Sequence, residues 1–290
     1  MNVDNSRIHI TECPRDAMQG IQEFVPTELK VSYLNALLDC GFSRLDFGSF
    51  VSSKAIPQLI DTSEVVLQLK DSPTKLLAII ANERGVEHAL QYNRISFLGY
   101  PFSVSEQFQL RNTQVGIEDS KIRLKNIAHL IKEGDKNLLV YLSMGFGNPY
   151  GDPWSVSMVV EYAKELYETL GIEHFALADT IGCATPDQLS ALFKEVKKEL
   201  PQIEIGVHLH ALPNHSWSLI QAAIDSGCTH FDSAILGMGG CPMAKDDLTG
   251  NLATETLHSY AMNLDIETGV NNEAFNNAKI MADAIFNRYH

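Results

Sequence analysis

No run of the 290 residues approaches the ~18 consecutive apolar residues that a membrane-spanning helix needs. The opening Met1-Asn2-Val3-Asp4-Asn5-Ser6 is polar and lacks the apolar stretch of a secretory leader. A membrane or exported protein is therefore not expected, and a cytoplasmic one is. Positive charge is scarce: 22 lysines and arginines stand against 36 aspartates and glutamates, a formal net charge of −14. Such a surface repels a polyanion at long range and argues against nucleic acid as a partner. A small anionic ligand needs only a local basic patch and is not excluded. Cysteines are also few. The five present, Cys13, Cys40, Cys183, Cys228 and Cys241, are odd in number and scattered, without a CxxC pair. That speaks against a disulfide framework or a structural zinc and fits a reducing compartment. No GxGxxG fingerprint follows the first expected strand, as a dinucleotide-binding sheet would usually show.

What is present is core. Hydrophobic residues make up 45% of the chain and charged residues 20%, a globular composition rather than a disordered one. Short apolar runs rich in β-branched and aromatic residues alternate with longer amphipathic stretches. Strands are expected at Arg7–Cys13, Arg44–Gly48, Lys75–Ala81, Arg94–Gly99, Asn137–Ser143, His174–Ala178, Glu204–His210 and His230–Ile235. Helices are expected between them, among others at Thr27–Cys40, Ser155–Leu170, Pro186–Leu200 and Ser216–Ser226. Gly41, Gly171 and Gly227 sit just past helix ends and lead into strands, the join of repeated βαβ units. Eight strands in strict alternation, with no linker, predict an α/β fold of the TIM (β/α)₈ type, one domain over residues 1–290. The tail from Thr254 carries two further helical stretches, expected under or beside the barrel.

In such barrels chemistry sits where strands end and βα loops begin. The expected strand ends carry Cys13-Pro14-Arg15-Asp16, Ala178-Asp179-Thr180, His208-Leu209-His210 and the loop Gly237-Met238-Gly239-Gly240-Cys241, with Asn251 beyond it. Residues i and i+2 of a strand share a face, so His208 and His210 can converge on one ion. Asp16 offers a carboxylate and Asn251 a neutral amide oxygen. Two nitrogens with oxygens and open positions suit Mg²⁺ or Mn²⁺ better than structural zinc. The bland alternative is two strand histidines satisfied by ordinary hydrogen bonds. Arg15 reads either as a salt-bridging arginine or as the group that stabilises an enolate oxygen, since its planar fork stays charged. Cys241 reads either as a buried small hydrophobe or as a proton donor on a glycine-rich loop. Asp179 is either a pocket acid or a cap for a helix before Ile181.

At these residues the chain resembles the 3-hydroxy-3-methylglutaryl-CoA lyases, within a superfamily that also holds Claisen-type synthases. The resemblance covers most of the length. It rests on Pro14-Arg15-Asp16, Ser49-Phe50-Val51-Ser52 with Lys54, Asp179-Thr180-Ile181-Gly182, His208-x-His210, and Gly239-Gly240-Cys241-Pro242 followed by Gly250-Asn251-Leu252-Ala253-Thr254-Glu255. It implies cleavage of 3-hydroxy-3-methylglutaryl-CoA, or a close 3-hydroxyacyl-CoA, with acetyl-CoA and acetoacetate as the products of the former, and Asp16, His208, His210 and Asn251 around a divalent cation. It makes Arg15 the group that steadies the thioester carbonyl and Cys241 the thiol that helps protonate the departing carbanion. Asp46 stands where these enzymes usually carry glutamate, and Asp179 matches an acid of the pocket. His208, or a bound water, is the expected base. An acyl-CoA substrate and a homo-oligomer, a dimer first, complete the expectation. A synthase that joins acetyl-CoA to a 2-oxo acid, or a barrel that has lost its chemistry but still binds CoA, are the rival readings. The lyases tend to have Glu-Val and a small residue before Pro-Arg-Asp, where this chain has Thr11-Glu12-Cys13. They usually have Ser-Leu-Gly before Asp-Thr, and Asp-Thr with Tyr-Gly after His-x-His. Here those positions are Ala176-Leu177-Ala178 and Ala211-Leu212-Pro213-Asn214. These departures bear on the acyl group accepted.

Overall fold

Eight parallel strands close on themselves in chain order, β1 to β8. The computed structural model describes residues 7–132, 134–240 and 249–289. The strands are β1 (His9–Glu12), β2 (Arg44–Ser49), β3 (Lys75–Ile79), β4 (Ile95–Ser103), β5 (Asn137–Ser143), β6 (His174–Asp179), β7 (Glu204–Leu209) and β8 (His230–Ser233). Between them run α1 (Pro14–Met18), α2 (Thr27–Asp39), α3 (Thr62–Gln68), α4 (Glu83–Ala89), α5 (Glu106–Thr113) and α6 (Ile117–Lys132). The series continues with α7 (Val156–Leu170), α8 (Pro186–Glu199), α9 (Pro213–Asp225), α10 (Thr254–Asn263) and α11 (Asn272–Tyr289). β1 pairs with β8 from His9↔His230 to Glu12↔Ser233, and this ladder closes the barrel. The TIM-barrel expectation therefore holds, with C-terminal helices as read.

Local chemistry explains the boundaries. Ser155 and Thr185 cap α7 and α8 by accepting the amides of Met158 and Gln188, each at 3.2 Å. At α8, Gln188 reciprocates to complete a capping box. α9 begins three residues earlier than expected because Pro213, with φ already helical and no amide to satisfy, starts it. β4 runs four residues past Gly99, through Pro101. Packing overrides the missing donor: Tyr100 reaches Ser120 of α6 at 2.8 Å, and Phe102 meets Tyr162 of α7 edge to face. β8 stops at Ser233 because the Glu12 carboxylate accepts the amide of Ile235 at 2.8 Å and turns the chain.

The main core lies between barrel and helices. A smaller apolar group of Leu77, Ile79, Phe97, Leu139, Tyr141 and Ala176 forms a second cluster. These are alternate strand residues, as period two requires of a barrel interior. At the other end of the chain α11 packs on α2, with Phe275 edge to face on Phe42 at 6.0 Å. No helix among the described residues is long and apolar enough to cross a membrane.

Candidate active site

β1 runs into α1 through Cys13 and Pro14, so Arg15 and Asp16 are delivered to the C-terminal mouth of the barrel already in helical geometry. Both are buried. Asp16 accepts from Arg15 Nη1 at 2.9 Å, Gln19 Nε2 at 2.7 Å and Asn251 Nδ2 at 2.7 Å. Arg15 grips Asp46 on β2 with Nε at 3.0 Å and Nη2 at 2.5 Å, and its Nη1 also donates to Gln19. A guanidinium has five N–H groups. Nε, both Nη1 hydrogens and one on Nη2 are committed, which leaves a single Nη2 hydrogen without an acceptor among the described residues. Burial disfavours the guanidinium, but Asp46 and Asp16 outweigh it and raise its pKa further.

His208 lies on β7, and His210 follows the strand's end in an antiparallel bridge to Asn251. That bridge is why residues 41 positions apart meet. The imidazole rings stand 5.3 Å apart, and the ligand atoms of Asp16, His208 and His210 all lie within 4.8 Å of one another. His208 Nδ1 is 3.1 Å from Asp232 Oδ2 on β8, which leaves Nε2 to complete this group. The arrangement is that of a metal-ligating histidine oriented by a carboxylate. Burial opposes protonation of His208, but Asp232 outweighs it and moves its pKa up. Burial and the neighbouring His208 push His210 down to about 4, so its ring is a neutral donor near pH 7. Asp16 is held down to about 2: burial would raise it, but Arg15, the two histidines and Asn251 prevail. A carboxylate held ionised by its neighbours and a neutral His210 fit a divalent cation, which would take the place of a proton on His208.

Asp46 is fully buried behind Arg15, and burial pushes it up to about 6 against the pull of that arginine. Its place is that of a lock on the guanidinium plane. Asp179, also buried, accepts the amides of Cys183 at 3.0 Å and Ala184 at 2.8 Å. It shapes the turn after β6 rather than capping a helix before Ile181, and α8 takes Thr185 as its cap instead. Cys241 lies outside the described residues. A cavity opens over this group, lined by Arg15, Asp16, Tyr141, Thr180, His208 and His210 among others. Sequence reasoning missed Gln19, Asp232 and Tyr141. Asp232 was legible as a carboxylate two residues after His230 in an inward strand position, whereas Gln19 and Tyr141 carry no local signal. The departures sit close by. Ala176 is the register partner of Tyr141 across β5 and β6, Ala211 is buried, and Leu212 is half exposed.

The HMGL-like family model matches residues 8–281. The chain is 34% identical over 265 residues to the cytoplasmic 3-hydroxy-3-methylglutaryl-CoA lyase of Danio rerio, covering 89% of this chain and 76% of that one. It is 33% identical over 269 residues to the mitochondrial hydroxymethylglutaryl-CoA lyase of Rattus norvegicus, covering 91% and 81%. An HMG-CoA lyase from Acinetobacter baumannii, solved with coenzyme A and 3-methylmalate, superposes with a TM-score of 0.90 at 29% identity, over 99% of this chain and 93% of that one.

Proposed function

The chain belongs to the HMGL-like family, and from that premise we propose that it is a carbon–carbon lyase that cleaves 3-hydroxy-3-methylglutaryl-CoA to acetyl-CoA and acetoacetate. The observation that carries the reading is the convergence of Asp16, His208 and His210 beside a buried arginine with one donor to spare. Asp16, His208 and His210, with the Asn251 carboxamide against Asp16, would hold a divalent cation of the Mg²⁺ or Mn²⁺ class. Such an ion acidifies a coordinated hydroxyl and neutralises a neighbouring carboxylate.

The chain's own groups do the rest. With Nδ1 on Asp232 and Nε2 given to the ion, His208 would have no nitrogen left for general-base work. The proton of the tertiary hydroxyl therefore leaves through a water in the cavity. As the C–C bond breaks, negative charge builds on the thioester oxygen. The spare Nη2 hydrogen of Arg15 is the donor for it, fixed in direction by Asp46. By its place in the Gly-Gly-Cys-Pro loop, Cys241 supplies the proton that the departing carbanion takes up.

A spectrophotometric assay of thioester cleavage on a small acyl-CoA panel tests the proposal. Chelation should abolish turnover, and Mg²⁺ or Mn²⁺ should restore it; full activity in metal-free protein would overturn the reading. In the same assay Cys241→Ser should slow cleavage by about 10²–10⁴, the worth of a placed acid. Nearly full activity in that variant would make the thiol structural and remove the feature that separates a lyase from the synthases.

A further inference from the structure

His208 and its partner Asp232 belong to a second group, whose third member the proposed reaction does not use. Cys13, His208 and Asp232 bring together a thiol, an imidazole and a carboxylate, all buried, with ligand atoms within 4.8 Å of one another. The thiol is a departure of this chain, at a position where the lyases it resembles tend to carry a small residue. It donates to the carbonyl of its near neighbour Thr11, at 3.5 Å. A separate observation points to the same spot. Tyr141 Oη is the one buried side-chain nitrogen or oxygen among the described residues without a hydrogen-bond partner. The Tyr141 ring meets that of His208 edge to face, with centroids 5.6 Å apart. A buried hydroxyl without a partner is destabilising unless something answers it.

We infer that Cys13, His208 and Asp232 form a second metal site, which takes a borderline-soft ion of the Zn²⁺ class and shuts the first site by claiming His208. Sulfur, nitrogen and oxygen donors in one buried triangle suit Zn²⁺, and the thiolate is the donor that a hard ion such as Mg²⁺ does not take. Tyr141, with its ring against His208 and its hydroxyl unpartnered among the described residues, would supply a hydrogen bond to a water completing the ion's coordination. The two sites exclude each other for a tautomeric reason. A neutral imidazole has one lone pair and one N–H. When His208 binds through Nδ1, its proton sits on Nε2, and the lone pair facing Asp16 and His210 is gone. Asp232 also changes partner, from steadying His208 to holding the soft ion. Only the effect on turnover rests on the lyase reading; the binding itself does not.

Cobalt(II) is the probe, because a thiolate bound to it gives a near-ultraviolet charge-transfer band that nitrogen and oxygen ligands do not. The full-length protein should develop this band with about one equivalent of Co²⁺. Cys13→Ser and Cys13→Ala should both lose it, while Cys183→Ser and Cys241→Ser keep it. Serine can still donate to Thr11, so at least one of the two Cys13 variants should fold. In the cleavage assay with Mg²⁺, the Zn²⁺ concentration that halves turnover should rise by about tenfold or more in Cys13→Ser, as for loss of a metal ligand's support. No band in the native chain, a band that survives both Cys13 variants, or unchanged Zn²⁺ sensitivity would overturn the inference. A Cys13-dependent band in a protein that cleaves no thioester would uphold this site and sink the lyase reading alone.

Discussion

Single residues carry more here than their types announce. Arg15 is not a free cation over the pocket but a nearly saturated one, with Asp46, Asp16 and Gln19 taking all but one of its N–H groups. That saturation makes the fork rigid and leaves one direction for a ligand oxygen. Arg15→Lys keeps the charge and loses both the fork and the bidentate grip on Asp46. We expect kcat to fall by roughly 10²–10³ with substrate binding within a few-fold. Steady-state kinetics decide it, since a loss confined to KM would make Arg15 a mere substrate anchor. The shorter Asp46, where the lyases usually carry glutamate, still reaches Arg15 at 2.5 Å. The substitution therefore leaves the lock closed, and its consequence falls on where the guanidinium points. Ala176 is harder to read from the sequence. Only the β5–β6 register shows that it faces Tyr141, whose hydroxyl has no hydrogen-bond partner among the described residues.

Among the elements, helices and strands differ in how openly the chain announces them. The helix ends were legible because their signals are local: Thr185 with Gln188, Ser155, and glycines with positive φ at Gly41, Gly171 and Gly227. Gly41 does more than end a helix. A Cβ there would lie 2.6 Å from the carbonyl oxygen of Gly269, in the segment that brings α11 onto α2. Gly41→Ala should therefore cost about 2 kcal/mol or more, through positive φ and the clash together. Urea unfolding of the variant checks this, and an unchanged midpoint and slope would mean that the α2–α11 contact yields freely. Strand ends were less legible. β4 runs on through Pro101 and β8 stops at Ser233, because packing on α6 and α7 decides the first and the buried Glu12 the second. Neither cause lies within the strand itself.

At the scale of the whole barrel, the end opposite the site is tied by charge. Glu204 on β7 meets Arg44 of β2 at 2.5 Å, His174 of β6 at 3.1 Å and His230 of β8 at 3.4 Å, and His230 stacks on His9 of β1. Burial raises the Glu204 carboxyl, but His174, His230 and Arg44 outweigh it and hold it well below the usual range. Burial pushes His230 down to about 4. Both pKa values are depressed in the fold, so both contributions are complete above the unfolded values and fade as pH falls. For His230 the window runs from about 6.5, its unfolded value, down to about 4, and Glu204 adds its share from about 4.5 downward. Stability should therefore drop by on the order of 2 kcal/mol between pH 7 and 4 from His230, and His230→Gln should flatten that slope. Parallel pH–stability curves for the two proteins would refute the assignment. The order of strands and helices, the apolar runs and the Arg15-Asp16, His208-x-His210 and Asn251 candidates were determined by the sequence alone, because period and capping are written in neighbouring residues. The tertiary structure alone decided that Asp232 takes Nδ1 of His208, that Gln19 and Asp46 fill Arg15, and that Cys13 joins His208 and Asp232 in one buried corner. Closure of the barrel brings β1 beside β8, and no local pattern records which inward side chains then share a layer.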